Sequence, residues 1–499
     1  MTLLTILILS TILYISTRIL YNLYLHPLSR YPGPLLWRAF RFPFILTNIR
    51  GQLPHRIRAL HEKYGDVVRV APDELSFIDP TAWRDIYTPF RTDSSSSHST
   101  PADREFVRPH QYKDQPPGKS AANLIACSET EHTRLRKVLA PGLSEQSVMQ
   151  QEPIVQKYID TLFTKLDAQI VDSSNACADV DIVQWINYLA FDVIGDLTWG
   201  SSFGCLDGLR YHPWVQTVSQ FKAAIVVGSL KFYPLLYRGL MAITPAEALK
   251  PVMEMWRVTE EKVAERVANG SSAKGTDLVG TMMASQAMTQ EEMEVNAMLP
   301  VAAGSESITT VITGVVSHLL REPDVLGALM DELRRTFEKE SDITATRLKS
   351  VPYLDAVLNE GMRLCPTIPD AMRRQVPRGG ATVAGHFVPE GMIVSIPPFT
   401  SYRSSRNYTS PEAFAPGRWL GEERFRGDSR IAFHPFSLGK HNCPGQSLAW
   451  LELRLVLARL FWRYDLSVPP GVELPRWEEQ AIWWFWDKKP TVVRVRAVQ

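Results

Sequence analysis

Most of this chain carries apolar residues at the three- and four-residue spacing that is typical of helices. The clearest such segments are Ile154 to Leu166, Val183 to Leu197, Asn296 to Leu320, Leu354 to Leu364 and Ser447 to Trp462. Two shorter segments, Asp66 to Ile78 and Gly385 to Ile396, alternate apolar and polar residues and predict strands. No internal repeat and no long linker divides the chain. The pattern predicts one mainly α catalytic domain with a minor β portion.

The N-terminus has a different pattern, because residues 2–17 carry no charge and Ile19 to Leu25 continues the apolar run past Arg18. This run is long enough to cross a bilayer core of about 30 Å if Arg18 reaches the interface. No small-residue cleavage site follows it, so a retained anchor is favoured over a cleaved signal peptide.

The residues after the anchor are rich in proline and then in basic side chains, namely Arg30, Arg38 and Arg41. Basic residues that flank a membrane span favour the cytosolic side. We therefore expect a transmembrane anchor over residues 1–25, a proline-rich hinge over residues 26–40, and a cytosolic catalytic domain over residues 41–499.

Composition excludes several classes of protein. The 499 residues contain 54 Lys and Arg against 53 Asp and Glu, so the charge balance does not favour nucleic-acid binding. The five cysteines are scattered and odd in number, which fits a reducing compartment better than a disulfide scaffold. No Cys and His cluster has the spacing of a zinc site.

Cys443 lies in the turn-rich segment from Phe436 to Gly445, directly before the predicted helix that starts near Ser447. Free backbone N–H groups and the helix dipole favour a thiolate at such a position. A lone thiolate presented in this way serves as a nucleophile or as an axial metal ligand. The alternative is an inert buried thiol, which is the commoner role of a single cysteine.

The predicted helix over Asn296 to Leu320 is almost wholly apolar, yet its middle contains Glu306 and Ser307. Burial of a carboxylate is costly unless the group has a partner, so an acid here favours a chemical role. Ala303 and Gly304 leave space beside the backbone for a water or a small ligand. An acid and an alcohol beside such a gap predict a proton relay, and a surface glutamate is the alternative.

Two further segments carry charge at helical spacing. Glu360 and Arg363 share one helix face, and Arg418 could join them in a network with a structural role. His132 and Arg136 are four residues apart on a basic helix, which predicts either a solvated face or a clamp for carboxylates.

Taken in order, these segments resemble the cytochrome P450 family of haem-thiolate monooxygenases. The family's signature, Phe-x-x-Gly-x-Arg-x-Cys-x-Gly, is matched by Phe436, Gly439, Cys443 and Gly445. The resemblance covers the chain from about Tyr31 onward. It implies the cytochrome P450 fold, with haem between the long central helix and the cysteine loop.

The resemblance also implies a role for each motif residue. Cys443 is expected as the axial ligand of the haem iron, in a loop with Phe436, His441 and Gly445. Glu306 and Ser307 are expected as the catalytic acid–alcohol pair. His132, Arg136 and Arg374 are expected to bind haem propionates, and Glu360, Arg363 and Arg418 to form the structural triad. Two residues depart from the family pattern, because His441 replaces an arginine and Ser307 replaces a threonine.

The implied function is insertion of one oxygen atom of O2 into a lipophilic small molecule, by hydroxylation or epoxidation, with haem b as the cofactor. The chain resembles most the fungal microsomal branch, including isotrichodermin hydroxylase-like enzymes of secondary metabolism, so a terpenoid or polyketide pathway is expected. NADPH would act only through a separate NADPH–cytochrome P450 reductase at the endoplasmic reticulum membrane, with cytochrome b5 as a further expected donor.

Two other hypotheses remain open at this stage. One is a haem-thiolate isomerase or dehydratase that needs no external electrons, although the Glu306 and Ser307 pair argues against it. The other is a non-catalytic haem sensor or carrier, although the gap at Ala303 and Gly304 argues against that. The substrate pocket is expected in loops such as Asp103 to Lys119, Tyr211 to Tyr237 and Pro366 to Met372.

Overall fold

The computed structural model describes residues 3–88, 105–113, 118–173, 176–215, 227–270 and 277–498. The chain is mainly helical, and each of the helices predicted from periodicity is confirmed; the central one starts at Gln290 and ends at Leu319, one residue before the predicted end. The α-helices span Leu3–Leu20, Leu35–Ala39, Phe42–Ile49, Leu53–Tyr64, Thr81–Tyr87, Glu129–Leu139, Glu145–Val171, Ile182–Trp199, Cys205–Gly208, Pro234–Ile243, Ala246–Ala268, Leu278–Ser285, Gln290–Leu319, Pro323–Thr336, Ala345–Leu348, Pro352–Leu364, Pro398–Ser401, Gly417–Leu420 and Gln446–Arg463.

The strands are short and form four small sheets within the described residues. They span Val67–Ala71, Glu74–Phe77, Ala178–Asp181, Arg374–Gln375, Ala381–Val383, His386–Val388, Ile393–Ser395, Tyr464–Ser467, Ile482–Trp483, Phe485–Trp486 and Val492–Ala497. Both predicted strand segments are confirmed, and each divides into two strands. In the four-stranded sheet, Glu74–Phe77 pairs in parallel with Ile393–Ser395, whose other neighbour is the antiparallel Arg374–Gln375.

The central helix, Gln290–Leu319, organises the main hydrophobic core. A capping box fixes its start, with the Thr289 hydroxyl accepting from the Glu292 N–H and the Glu292 carboxylate accepting from the Thr289 N–H. The helix packs against Ile182–Trp199, and a side chain at Gly304 would come within 3.0 Å of Ile194. Close approach of these two helices therefore depends on a glycine at position 304.

Two described helices are long and apolar enough to cross a membrane. The span Leu3–Leu25 has none of its best window buried, whereas 61% of the corresponding window of the central helix is buried. Burial identifies the central helix as a core element. The first span fits the expected membrane anchor.

The last turn of that span packs onto the catalytic domain. Asn22 is buried, and its side-chain amide donates to the carbonyl of Ala39 at 2.8 Å. Arg69, itself fully buried, donates to the carbonyl of Asn22 at 2.8 Å. The segment that follows is also packed, since Leu28 is fully buried and the Arg69 N–H donates to Pro32. The proline-rich segment is thus attached to the domain along its length.

Candidate active site

The cysteine loop, Phe436–Gly445, is held in a tight turn by its own backbone. The N–H of Cys443 donates to the carbonyl of Phe436 at 2.8 Å, and Asn442 donates to Gly439 at 3.1 Å. Gly439 has a φ of +69°, and a side chain there would meet the carbonyl oxygen of Tyr87 at 2.0 Å. Glycine is therefore required at position 439 by both conformation and space.

Gly445 differs from Gly439, because its φ of −89° is open to any residue. A side chain at Gly445 would meet none of the described atoms within 4 Å. The loop backbone beside Cys443 therefore borders open space, which suits the close approach of a flat group.

The Cys443 thiol precedes the helix Gln446–Arg463 and is half-buried as a residue. Burial raises the pKa of the thiol, while the N–H of Gly445 and the charge of Arg136 lower it. The net shift is upward, so the helix start alone does not produce the thiolate expected from sequence. A cation at the sulfur would be needed to favour that form.

Arg136 connects the helix Glu129–Leu139 to the cysteine loop. Its two terminal nitrogens donate to the backbone and side-chain oxygens of Asn442, both at 2.6 Å. The residue before Cys443 is therefore clamped by a bidentate arginine. Arg136 thus has a loop-holding contact that the sequence did not predict.

His441 and His132 pack together beside the loop. Their rings lie 4.1 Å apart between centroids, and Nδ1 of His441 is 3.1 Å from Nε2 of His132. Nε2 of His441 contacts the Glu129 carboxylate at 3.0 Å, and Lys440 contacts it at 2.6 Å. Burial would raise the pKa of Glu129, but His441 and Lys440 hold it far below its ordinary value.

Two arginines complete this group of basic side chains. The carbonyl of Val107 accepts from the Gln375 N–H at 2.7 Å, and this bridge sets the loop of Arg108 beside the strand that holds Arg374. Burial, together with a smaller effect of Arg374, lowers the pKa of Arg108 to about 10. Burial also lowers the pKa of Arg374, and burial followed by the charges of the two arginines lowers the pKa of His441.

We call Arg108, His132, Arg374, Lys440 and His441 the basic cluster. Together with Arg136 it holds four permanent cations, while the described carboxylates bound to it are Glu105 and Glu129. Nε of Arg108 is buried without a partner among the described residues. An excess of buried or half-buried positive charge and a donor without a described partner fit a dianionic ligand, and the two propionates of haem meet that requirement.

The central helix presents a second open face. Ala303 is exposed and Ser307 is half-buried, although Val301, Ser305 and Ile308 around them are buried. Ala303 and Ser307 therefore leave this helix face open, whereas Ile194 fills the space that the sequence predicted beside Gly304.

Glu306 lies on this part of the helix but is not free. Its carboxylate accepts from Nζ of Lys488 at 2.5 Å, and Lys488 also lies 3.5 Å from the hydroxyl of Thr310. Nothing in the sequence pattern indicated this partner, which lies 182 residues further along the chain.

The structure brings Glu360, Arg363 and Arg418 together, and we call them the charged triad. Arg363 donates to both Glu360 oxygens at 2.8 Å, and Arg418 contacts the same carboxylate at 3.4 Å. Burial would raise the pKa of Glu360, but the two arginines hold it below its ordinary value. Trp419 also donates to Glu360, and Arg418 pairs closely with Asp428.

Parts of the predicted pocket loops, residues 103–104, 114–117 and 216–226, lie outside the described residues.

Three residues near the site were not predicted to take part in it: Arg108, Glu129 and Lys488. Glu129 has a weak sequence signal, because it precedes His132 by three residues on one helix. Arg108 and Lys488 lie in irregular segments that offer none.

Known proteins resemble this chain along nearly its whole length. A family model described as "Cytochrome P450" matches residues 29–493. An averantin hydroxylase of Dothistroma septosporum is 37% identical over 97% of this chain and 89% of its own length. The cytochrome P450 monooxygenase lcsI of Purpureocillium lilacinum is 34% identical over 98% of this chain and 93% of its own length.

A second averantin hydroxylase, from Aspergillus parasiticus, is 36% identical over 97% of this chain and 95% of its own length. These relatives are named hydroxylases and monooxygenases, and they lend no support to an isomerase or a non-catalytic carrier. Family match, fold and relatives agree, and the chain belongs to the cytochrome P450 family of haem b-dependent monooxygenases, which receive electrons from a separate reductase.

Proposed function

We propose that Cys443 is the axial ligand of the haem iron and that the enzyme hydroxylates a lipophilic small molecule. The observation that carries this proposal is the cysteine loop itself. Its turn is fixed by Phe436 and Gly439, clamped by Arg136 through Asn442, and bordered by open space at Gly445.

The basic cluster would hold the haem propionates. Arg108 and Arg374 supply permanent charge, whereas both ring nitrogens of His441 already contact protein groups, namely His132 and Glu129. His441 stands where the family signature has an arginine, and its ring is already held by Glu129. We therefore assign the stronger propionate contacts to the two arginines.

The haem, when bound, activates O2, and a thiolate ligand favours cleavage of the O–O bond. The side chains of the central helix have a separate role, which is to supply protons to the substrate cavity that we propose at its open face. Ser307 borders that cavity, and Glu306 lies one residue away with Thr310 on the next turn. We assign proton delivery to Glu306 and Ser307.

The charged triad has a structural role in this proposal. Arg363 also donates to the carbonyls of Tyr402, Pro411 and Ala413, so one buried guanidinium fixes a long connection that leads toward the cysteine loop. Its charges are satisfied within the protein and leave nothing to bind a ligand.

We also propose the cellular setting. Residues 1–25 anchor the chain in the endoplasmic reticulum membrane, residues 26–40 form a short connecting segment, and residues 41–499 are the cytosolic catalytic domain. NADPH–cytochrome P450 reductase is the proposed electron donor, with cytochrome b5 as a second donor. The exposed apolar span Leu3–Leu25 supports the membrane part of this proposal.

The substrate class follows from the relatives. Two of them are named averantin hydroxylases, both from fungi. We propose that this enzyme acts in fungal secondary metabolism, on a terpenoid or polyketide precursor, and averantin is the first compound to test.

The ligand assignment is tested by the spectrum of the reduced protein with carbon monoxide. Wild-type protein should show the red-shifted band of a thiolate-ligated haem, and Cys443→Ser should lose it. Cys365→Ser, at a buried cysteine outside the loop, is the control and should keep the band. Persistence of the band in Cys443→Ser would show that another residue is the ligand.

The reaction is tested by feeding averantin and other polyketide or terpenoid precursors to membranes that contain the enzyme and a reductase. Mass spectrometry should find a product heavier by one oxygen atom that requires NADPH and reductase. Conversion that persists without both would favour the isomerase or dehydratase instead.

A further inference from the structure

Lys488 forms a shielded ion pair with the one acid in the middle of the central helix. The side chain of Lys488 is 5% exposed and that of Glu306 is 13% exposed. Exposed ion pairs contribute little, but a shielded pair is screened less by solvent and salt. This contact is therefore a fixed feature of the helix face that borders the cavity.

The backbone on both sides of Lys488 is held in place. The N–H of Asp487 donates to Ala481 at 2.8 Å, and the N–H of Lys489 donates to the side chain of Gln480 at 2.6 Å. Trp486 is buried and donates to the carbonyl of Pro366 at 2.8 Å. The ammonium group is thus delivered to Glu306 from a rigid segment.

Helix geometry explains what this contact does to Glu306. Side chains at adjacent positions such as Glu306 and Ser307 diverge, whereas those three or four apart are neighbours. Thr310 is four residues from Glu306 and three from Ser307, so its hydroxyl lies between them on the helix face. Lys488 contacts both Glu306 and Thr310.

We propose that Lys488 is a positioning residue that holds the Glu306 carboxylate beside Thr310 and thereby sets the route of proton delivery. While Nζ donates to Oε2, that oxygen is occupied. The Glu306 carboxylate therefore takes a proton through Oε1 from a hydronium ion, which leaves water. It passes this proton to the Thr310 hydroxyl while that hydroxyl releases its own proton toward Ser307 and the open helix face, so the carboxylate returns to its ionised form. No electron is transferred in these steps. The inference rests on the proposed role of Glu306.

The test compares Lys488→Met and Lys488→Arg with Lys489→Met. Lys489 is a matched control, because it is the next residue, its side chain is exposed, and its backbone contact survives substitution. Each full-length, haem-loaded variant is assayed with reductase, NADPH and averantin, and both product and hydrogen peroxide are measured over a pH series.

Since a positioned acid–base group contributes about 100-fold or more, loss of its position should lower product formed per NADPH about tenfold in Lys488→Met. Hydrogen peroxide should rise in compensation, and the pH profile of this ratio should shift. Lys488→Arg should remain within about twofold of wild type because it keeps the charge. Lys489→Met should not change. A wild-type ratio and pH profile in Lys488→Met would overturn the inference.

A second measurement does not depend on turnover. A double-mutant cycle of Lys488→Met and Glu306→Gln on thermal unfolding of the haem-loaded protein should show coupling, with a loss of about 2 °C for Lys488→Met alone. In the Glu306→Gln background the same change should cost little. Additive losses would overturn the inference.

Failure of the proposed function would give different results from failure of the inference about Lys488. If wild-type protein lacks the red-shifted carbon monoxide band or forms no oxygenated product, the proposed function fails while the unfolding cycle still decides whether Lys488 holds Glu306. If the Lys488→Met variant has a lower haem content, the Lys488→Gln variant is measured in its place. Glutamine keeps a hydrogen-bond donor and removes only the charge.

Discussion

The charged triad and the basic cluster are both buried groups of charged side chains, and they differ in how their charges are balanced. In the triad, Glu360 and Asp428 face Arg363 and Arg418, and the remaining donors reach backbone carbonyls. In the basic cluster, cations outnumber the carboxylates among the described residues, and burial together with neighbouring arginines lowers the pKa of Arg108 and of His441. The comparison teaches that a buried group whose positive and negative charges cancel has a structural role. A group with an excess of one charge indicates a place for a ligand of the opposite charge.

The largest expected effect is that of Arg363→Met in the triad. Removal of one partner leaves a buried Glu360 carboxylate poorly paired, which costs about 3–5 kcal/mol of unfolding free energy. Chemical denaturation or the yield of folded protein measures it. The matched control is Arg426→Met, whose ion pair with Glu423 is exposed and worth under about 1 kcal/mol. Equal losses in the two variants would contradict a structural role for the triad.

Two neighbouring arginines allow a sharper test. Arg373 precedes the strand Arg374–Gln375 and has carboxylate partners, whereas Arg374, the first residue of that strand, has none among the described residues. Arg373 pairs with Glu74 at 2.7 Å and with Asp370 at 2.8 Å. Arg373→Met should therefore lower the stability of the haem-free protein by about 2 kcal/mol, since a charged hydrogen bond is lost. Thermal unfolding of haem-free protein is the measurement, and no change would contradict this interpretation of the pair.

Arg374→Met should show the opposite pattern. Removal of one of several mutually repelling cations should leave the haem-free protein at least as stable as wild type. Haem should dissociate about tenfold faster, since about 1.4 kcal/mol of charged hydrogen bonding to a propionate is lost. Transfer of haem to an acceptor protein measures the rate. A destabilised haem-free protein that releases haem at the wild-type rate would place Arg374 with the structural group.

The smallest expected effect is that of His441→Arg. A guanidinium matches a carboxylate better than an imidazole does, so haem retention should improve by about threefold. The same change adds a cation to the cluster and should lower the stability of the haem-free protein. The gap between the melting temperatures of loaded and haem-free protein should widen. A smaller difference between the two melting temperatures would show that the introduced guanidinium pairs with Glu129 and not with a propionate.

Sequence reasoning predicted those elements and contacts that depend on residues close together in the chain. The helices follow from apolar spacing, and the cysteine loop follows from Gly439, Pro444 and the helix that begins directly afterwards. The triad could also be anticipated, because Glu360 and Arg363 are one turn apart. In the loop and in the Glu360–Arg363 pair the interacting groups lie close in sequence, whereas Arg418, 58 residues from Glu360, was added as a candidate partner from its own segment and the family resemblance.

The contacts that were not predicted join residues that are far apart in the sequence. Lys488 reaches Glu306 from an irregular segment, and only the fixed tryptophan-rich turn before it brings the ammonium there. Arg108 is set beside Arg374 by a single backbone bridge at Val107, which no periodicity announces.

The packing of Asn22 bears on how the enzyme meets a bilayer. Because Asn22 bonds to Ala39 and Arg69, the last turn of the apolar span belongs to the same rigid body as the catalytic domain. In the proposed membrane setting, the domain would not swing freely from a tether at residue 26, because these contacts join it to the end of the apolar span. A soluble form shortened before Tyr21 keeps these contacts, whereas one shortened at residue 26 leaves the buried Arg69 guanidinium without its Asn22 acceptor.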